Sequence, residues 1–261
     1  MDDHSPRLVT TVGKAERDRV ILRGYDLTKE LVGHVSFAHL TYLMLMGRMP
    51  TEGQARMVDA LLTVLVEHGM TGSAIAARLT YASAPEALQG AVAAALLSAG
   101  SVHLGTATDC ARLLHETLAA APADADLDAL ATQVVDDYLG ARRIIPGLGH
   151  AQHTAGDPRA ERLFAIARET EVYGRYCALL ERIAARASER RGRLLPVNVT
   201  GAMGAIACEL GVPWQVAKGF ALIGRTLGAL AHLADEVRDP LARHMVGLIE
   251  SHLVYQDPSR V

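Results

Sequence analysis

Two stretches of this chain are rich in small residues, and they limit the fold more than anything else in the sequence. Ala87 to Ser98 is small and apolar almost all round, and a second small-residue helix is expected over Ala202 to Leu210, ended by Gly211-Val212-Pro213. A segment that is apolar around its whole circumference, with no alternation of period two, belongs inside a pack of helices. The first is therefore expected to be a central, buried helix. Composition agrees: of 261 residues, 50% are hydrophobic but only 4% aromatic, so the apolar mass is Ala, Leu, Val and Ile, as in packed helices rather than a β-sandwich. The fold class expected is all-α.

The rest of the chain is punctuated accordingly. Val20 to Leu27 carries a short apolar run through Arg23-Gly24, a short strand or hairpin arm. From Thr28 apolar residues recur at helical spacing until Gly47-Arg48-Met49-Pro50, and Met44, Met46 and Met49 read as core filler. A second helix runs from Thr51 to His68-Gly69. The helix containing Ala87 to Ser98 opens at Ser83-Ala84-Pro85-Glu86. Further helices are expected from about Thr108 to Ala119, Leu127 to Leu139, Ala160 to Glu171 behind an Asp157 cap, Tyr176 to Arg190, and Gln215 to about Val237, followed by a short C-terminal segment.

Several classes of function are disfavoured. The net charge is −3 with Lys and Arg scattered, so there is no basic footprint for nucleic acid. Cys110, Cys177 and Cys208 are odd in number and widely spaced, which argues against disulfides and thiolate metal sites and fits a reducing cytoplasm. No run of 18 apolar residues and no leader-like N-terminus is present, so neither export nor a membrane span is expected. His150 and His153 have a metal-like spacing but lack a third ligand nearby, and no metal is expected.

Three loops carry polar groups between apolar helices: Gly100 to Gly105 with His103, Gly147 to Arg159 with His150, and Pro196 to Gly201 with Asn198 and Thr200. Each histidine alone is most simply a hydrogen-bonded or surface residue, and His232 in the last long helix reads as a packed one. The Glu189 to Arg193 run is most simply a solvated helix end, with a phosphate-facing rim as the alternative.

Taken together, the motifs resemble the citrate synthase superfamily. Arg23-Gly24-Tyr25-Asp26 and Leu45-Met46-Gly47-Arg48-Met49-Pro50-Thr51 resemble its entry segment. Pro146-Gly147-Leu148-Gly149-His150 followed by Asp157-Pro158-Arg159 resembles its histidine loop, and Gly224-Arg225-Thr226-Leu227-Gly228-Ala229-Leu230-Ala231-His232 its arginine helix. The short length is most like the citryl-CoA lyase branch and the C-terminal lyase domain of ATP-citrate lyase.

The resemblance implies roles residue by residue. His150 would exchange the proton of the substrate's oxo or hydroxyl oxygen. Arg159 and Arg225 would hold carboxylates through bidentate forks, and Arg243 would be a third such arginine, supplied from a neighbouring subunit. His103 would polarise the thioester carbonyl as it becomes an enolate. The substrates implied are an acyl-CoA and a 2-oxo or hydroxy acid, with no permanently bound cofactor and a homodimer or higher homo-oligomer. The fold implied is a large helical domain, residues 1–107 with 216–261, and a smaller inserted helical domain, 108–215, closing over a cleft.

Two departures from the family pattern stand out. Thr200, in Asn198-Val199-Thr200-Gly201, occupies the place of the family's proton-abstracting Asp, and a threonine hydroxyl is far too weakly acidic to act as that base. Tyr81-Ala82-Ser83-Ala84-Pro85 replaces a substrate-binding histidine motif, leaving Ser83 there. The expected activity is citryl-CoA lyase-like carbon–carbon cleavage or the reverse condensation. The alternatives are a paralogue acting on another CoA ester and a non-catalytic CoA-ester-binding protein.

Overall fold

The computed structural model describes residues 8–100, 104–149 and 155–260. Its chain divides into two compact units, Met1–Leu62 with Thr106–Ala217, and Thr63–Gly105 with Lys218–Val261.

The first unit opens with a three-stranded antiparallel sheet, β1 Gly13–Ala15, β2 Val20–Leu22 and β3 Tyr25–Asp26. Arg23 and Gly24 join the last two strands with φ of 48° and 90°, both in the left-handed region that matches the twist of a two-residue hairpin. The Arg23 guanidinium donates to Met44 O at 3.1 and 2.7 Å, tying the hairpin to the first α-helix. That helix, α1 (Phe37–Met46), does not begin at Thr28 as its periodicity suggests. Asp26 instead caps a single π-helical turn, Leu27–Leu31, and the chain breaks at Gly33 with φ of 80°. Ser36 Oγ then accepts the His39 N–H at 3.3 Å and starts a new helix, which ends at Gly47 as expected.

Beyond α2 (Glu52–Thr63), the described residues of this unit form α5 (Thr106–Ala119), α6 (Leu127–Gly140), α7 (Pro158–Glu169), α8 (Arg175–Arg191), α9 (Val199–Glu209) and a 3-10 turn, Trp214–Val216. Ten of the eleven residues of α9 are buried, and it packs against α5, α7 and α8. Gly204 makes this possible, because a Cβ there would stand 2.6 Å from the Ala107 carbonyl oxygen. Helices α6 and α8 run parallel: Arg182 Nε donates to Asp128 at 3.2 Å, and eight residues further along both helices Arg190 forks onto Asp136 with two bonds of 3.0 Å. Glu209, at the far end of α9, accepts the N–H groups of Gly174 and Cys177, each at 3.0 Å, and so caps α8. Burial raises its carboxyl above the ordinary value.

The second unit contains α3 (Gly72–Ser83), α4 (Leu88–Leu97), α10 (Gly219–Arg238) and α11 (Ala242–His252). Its core is Ala77, Ala91, Ala95, Ala229 and Leu233. Here the expectation for the first small-residue segment is corrected. Within this chain α4 buries only the stripe of Ala91 and Ala95, and it exposes Leu88 and Leu97. Its start also lies five residues beyond Ser83, because Ser83 belongs to the end of α3. Among the described residues, no helix is long and apolar enough to cross a membrane.

Candidate active site

The N-terminus of α9 is built by glycine. Gly147, at φ of 87°, and Gly201 press backbone to backbone, and a Cβ on Gly201 would come within 2.8 Å of Gly147 Cα. That contact docks the loop 145–149 onto the segment 196–201. Gly149 N–H donates to Pro196 O at 2.7 Å, Asn198 N–H to Gly147 O at 2.9 Å, and Leu148 bridges Val197.

The side chains then form a directed chain of hydrogen bonds. Asn198 Nδ2 donates to Gly149 O at 2.8 Å, which fixes the amide so that its Oδ1 faces the helix start. Oδ1 accepts the Gly201 N–H at 2.9 Å and the Thr200 hydroxyl at 2.7 Å. Since the single Thr200 proton is committed there, the 2.6 Å contact between Thr106 Oγ1 and Thr200 Oγ1 must have Thr106 as donor. Thr200 is buried and acts as an acceptor toward any third group. Thr106, the first residue of α5, is a member of this cluster that motif reading missed.

Arg159 is brought to the same helix end by Asp157. Asp157 caps α7, and its Oδ1 accepts Arg159 Nε at 2.9 Å and Arg159 N at 3.1 Å. Its Oδ2 accepts Arg159 Nη2 at 3.0 Å and the first N–H of α9, on Val199, at 2.9 Å. Burial works to raise this carboxyl, but the Arg159 and Val199 hydrogen bonds outweigh it and hold the pKa below the ordinary value. One carboxylate thus orients the Arg159 guanidinium against the Asn198–Thr200 turn. His103 and His150 lie outside the described residues.

The remaining expected residues belong to the second unit. Arg225 sits on α10 and is nine-tenths buried. It lines a small void with Val66, Glu67, Thr71, Gly228 and His232. His232 is not isolated: its Nε2 lies 2.8 Å from Glu67 Oε2, and Arg78 donates to its Nδ1 at 3.3 and 3.2 Å. Arg78 also pairs with Glu236 at 2.6 Å, and Glu236 accepts the Ala242 N–H at 2.8 Å. Burial works to raise the Glu236 carboxyl, and the Ala242 and Arg78 bonds overcome it, leaving the pKa lowered. Arg78 is a lone charge inside Ala76-Ala77-Arg78-Leu79, and that isolation was the signal available in the sequence. Ser83 is exposed at the end of α3, its hydroxyl returned to Leu79 O at 3.0 Å, and Arg243 is exposed on α11.

The thiols are poor candidates for chemistry. Burial pushes Cys110 and Cys177 far up and Cys208 up to about 12, so none is a thiolate near neutrality. Among the described residues, no group of three or more His, Cys, Asp or Glu side chains is arranged to hold a metal ion.

Comparison with known proteins bears on the fold and the family. Residues 51–245 match the family described as citrate synthase, C-terminal domain. The solved structure of citryl-CoA lyase from Hydrogenobacter thermophilus superposes with a TM-score of 0.85 at 36% identity, covering 96% of this chain and 94% of that one. ATP citrate lyase of Methanosaeta concilii, solved with (3S)-citryl-CoA, shares the fold at a TM-score of 0.74 and 20% identity, over 97% of this chain and 42% of that one. Citrate synthase of Haloferax volcanii is 26% identical over 203 residues, 75% of this chain and 50% of its own length. The chain thus spans about half the length of the curated relatives it matches. It belongs to the citrate synthase family.

Proposed function

We propose that this protein is a carbon–carbon lyase of the citryl-CoA lyase type, cleaving a 3-hydroxy-3-carboxyacyl-CoA such as citryl-CoA to acetyl-CoA and a 2-oxo acid such as oxaloacetate. The observation that carries this reading is the near end-to-end match, in length and fold, to a citryl-CoA lyase. The family motifs carry the roles. His150 takes the proton of the substrate C3 hydroxyl, and the C3 oxygen becomes the new carbonyl as the C2–C3 bond breaks. The electrons of that bond pass into the thioester as an enolate, whose oxygen His103 stabilises. Arg159, Arg225 and Arg243 are the carboxylate grips, with Ser83 and Asn198 as further binding groups.

The geometry around Thr200 supports assigning the final proton to water. A hydroxyl whose own proton is committed to Asn198 and whose oxygen accepts from Thr106 neither abstracts an α-proton nor delivers one. Cleavage is compatible with this, because a thioester enolate is basic enough to take a proton from solvent. Condensation tolerates it less well, because it must first remove an α-proton. The same observation favours a second reading, a paralogue whose CoA ester forms its carbanion without a protein carboxylate, as in loss of CO2. We further infer that the coenzyme A ester is a substrate and not a resident cofactor. The chain would act as a homodimer or larger homo-oligomer, and its three widely spaced, buried cysteines fit a reducing cytoplasm.

The test is mass spectrometry of purified protein incubated with citryl-CoA. Acetyl-CoA and oxaloacetate should accumulate, and His150→Ala should abolish them. A folded protein that binds CoA esters but leaves citryl-CoA intact sinks the lyase reading and moves the search to other esters.

A further inference from the structure

Helix α10 carries Arg225, Gly228, Ala229, His232 and Glu236 at spacings of three, one, three and four, which puts them on one face. Along that face runs a continuous chain of groups: Glu67, His232, Arg78, Glu236 and the N–H of Ala242. Arg78 has only donors, so it fixes His232 Nδ1 as the acceptor and leaves the ring proton on Nε2, where it is donated to Glu67 Oε2. One tautomer alone satisfies both neighbours.

Gly228 brings this chain to Arg225. The Val66 carbonyl lies against α10 where any Cβ on residue 228 would collide with it, and Glu67 Oε2 would be 3.4 Å from that Cβ. The carboxylate therefore sits one turn along the helix from Arg225, beside the same void of about 10 Å³ that Arg225 and His232 line. Glu67 is exposed, whereas Arg78 and Glu236 are buried, and buried charges of that kind are weak contributors to stability, because apolar side chains of equal volume serve as well or better. What they supply is geometry, the rotation and axial setting of α10 against α3.

We propose that Glu67, His232, Arg78 and Glu236 form a positioning relay for Arg225, with His232 a positioning residue and not a passive packed histidine. This rests on the reading that Arg225 grips a substrate carboxylate, but the relay itself is open to measurement without substrate. In the full chain, nitrogen-15 spectra should show the His232 ring as the Nε2–H tautomer. Hydrogen exchange of the Arg225 Nε–H should quicken by about tenfold in His232→Leu and partly recover in His232→Gln, which keeps one acceptor and one donor. An Nδ1–H ring, or Arg225 exchange unchanged in His232→Leu, overturns the relay. With citryl-CoA, His232→Leu should raise KM about tenfold and change kcat by less than about threefold. A lower Tm with unaltered KM would reduce His232 to a packing residue. Intact citryl-CoA with wild-type protein would instead count against the lyase reading alone, since the spectra decide the relay.

Discussion

The surroundings of Arg159 and of Arg225 are held by opposite physics. At the start of α9, backbone meets backbone through Gly147 and Gly201, and the polar groups are neutral apart from one Asp157–Arg159 pair. Along α10 the polar groups are charged, and Arg78 and Glu236 are each at least 95% buried. Neutral hydrogen bonds tolerate loss of a partner at modest cost, whereas a buried ion deprived of its partner does not. The arrangement around Thr200 is therefore set by space and the one around Arg225 by charge.

Substitutions can break or sharpen that contrast. Arg78→Leu strands Glu236 and removes the His232 donor, and should cost about 3–5 kcal/mol by denaturant unfolding. The double variant Arg78→Leu with Glu236→Leu should recover much of that loss. A double variant no more stable than the single would show that charge is not what holds this region. Gly201→Ala should cost about 3 kcal/mol through overpacking against Gly147, and a neutral result would show that space is not the constraint at α9.

Asp157→Asn should cost about 2 kcal/mol at neutral pH, from the lost Arg159 pair and a weakened cap. Because the Asp157 carboxyl is held below its ordinary value when folded, its contribution is complete above about pH 4 and lost as the pH falls through the lowered value. The stability gap between wild type and variant should accordingly be flat from neutral pH to about pH 5 and close only in strong acid. A gap that closes by pH 6 would show that another group is responsible. The smallest effect belongs to Thr106→Val, about 1 kcal/mol, since it removes a donor but leaves Thr200 bonded to Asn198. It should also leave Arg225 exchange untouched.

Much of the first unit was legible in the sequence because its helices announce their ends. Asp126, Asp157 and Asn198 cap α6, α7 and α9 through side-chain hydrogen bonds, and Gly192 closes α8 at φ of 62°. The second unit gave fewer signals. Helix α3 went unread because Thr71 makes no capping bond and its Ala, Ser and Thr residues mark no strong apolar stripe. Helix α11 looked like a short tail because its buried residues number one, Ala242. The two small-residue segments looked alike, yet α9 is enclosed by α5, α7 and α8, while α4 meets α3 and α10 on one side. Burial on the remaining sides is decided by neighbours, and the residue pattern of a helix does not name them. Thr106, Arg78 and Glu236 were missed for a related reason: each matters through a partner more than ninety residues away in the chain.

The parallel course of α6 and α8 has an electrical consequence. Antiparallel neighbours cancel their peptide dipoles, but parallel ones add them, so the carbonyl ends of both helices, at Gly140 and Arg191, combine into one negative pole. Arg142, Arg143, Arg191 and Arg193 are all exposed at those two helix ends. Two fractional charges of like sign are thereby met by four full positive ones at the junction from which the loops toward Gly149 and Asn198 depart. Even with Asp137 exposed in the last turn of α6, the junction is locally positive in a chain whose net charge is −3.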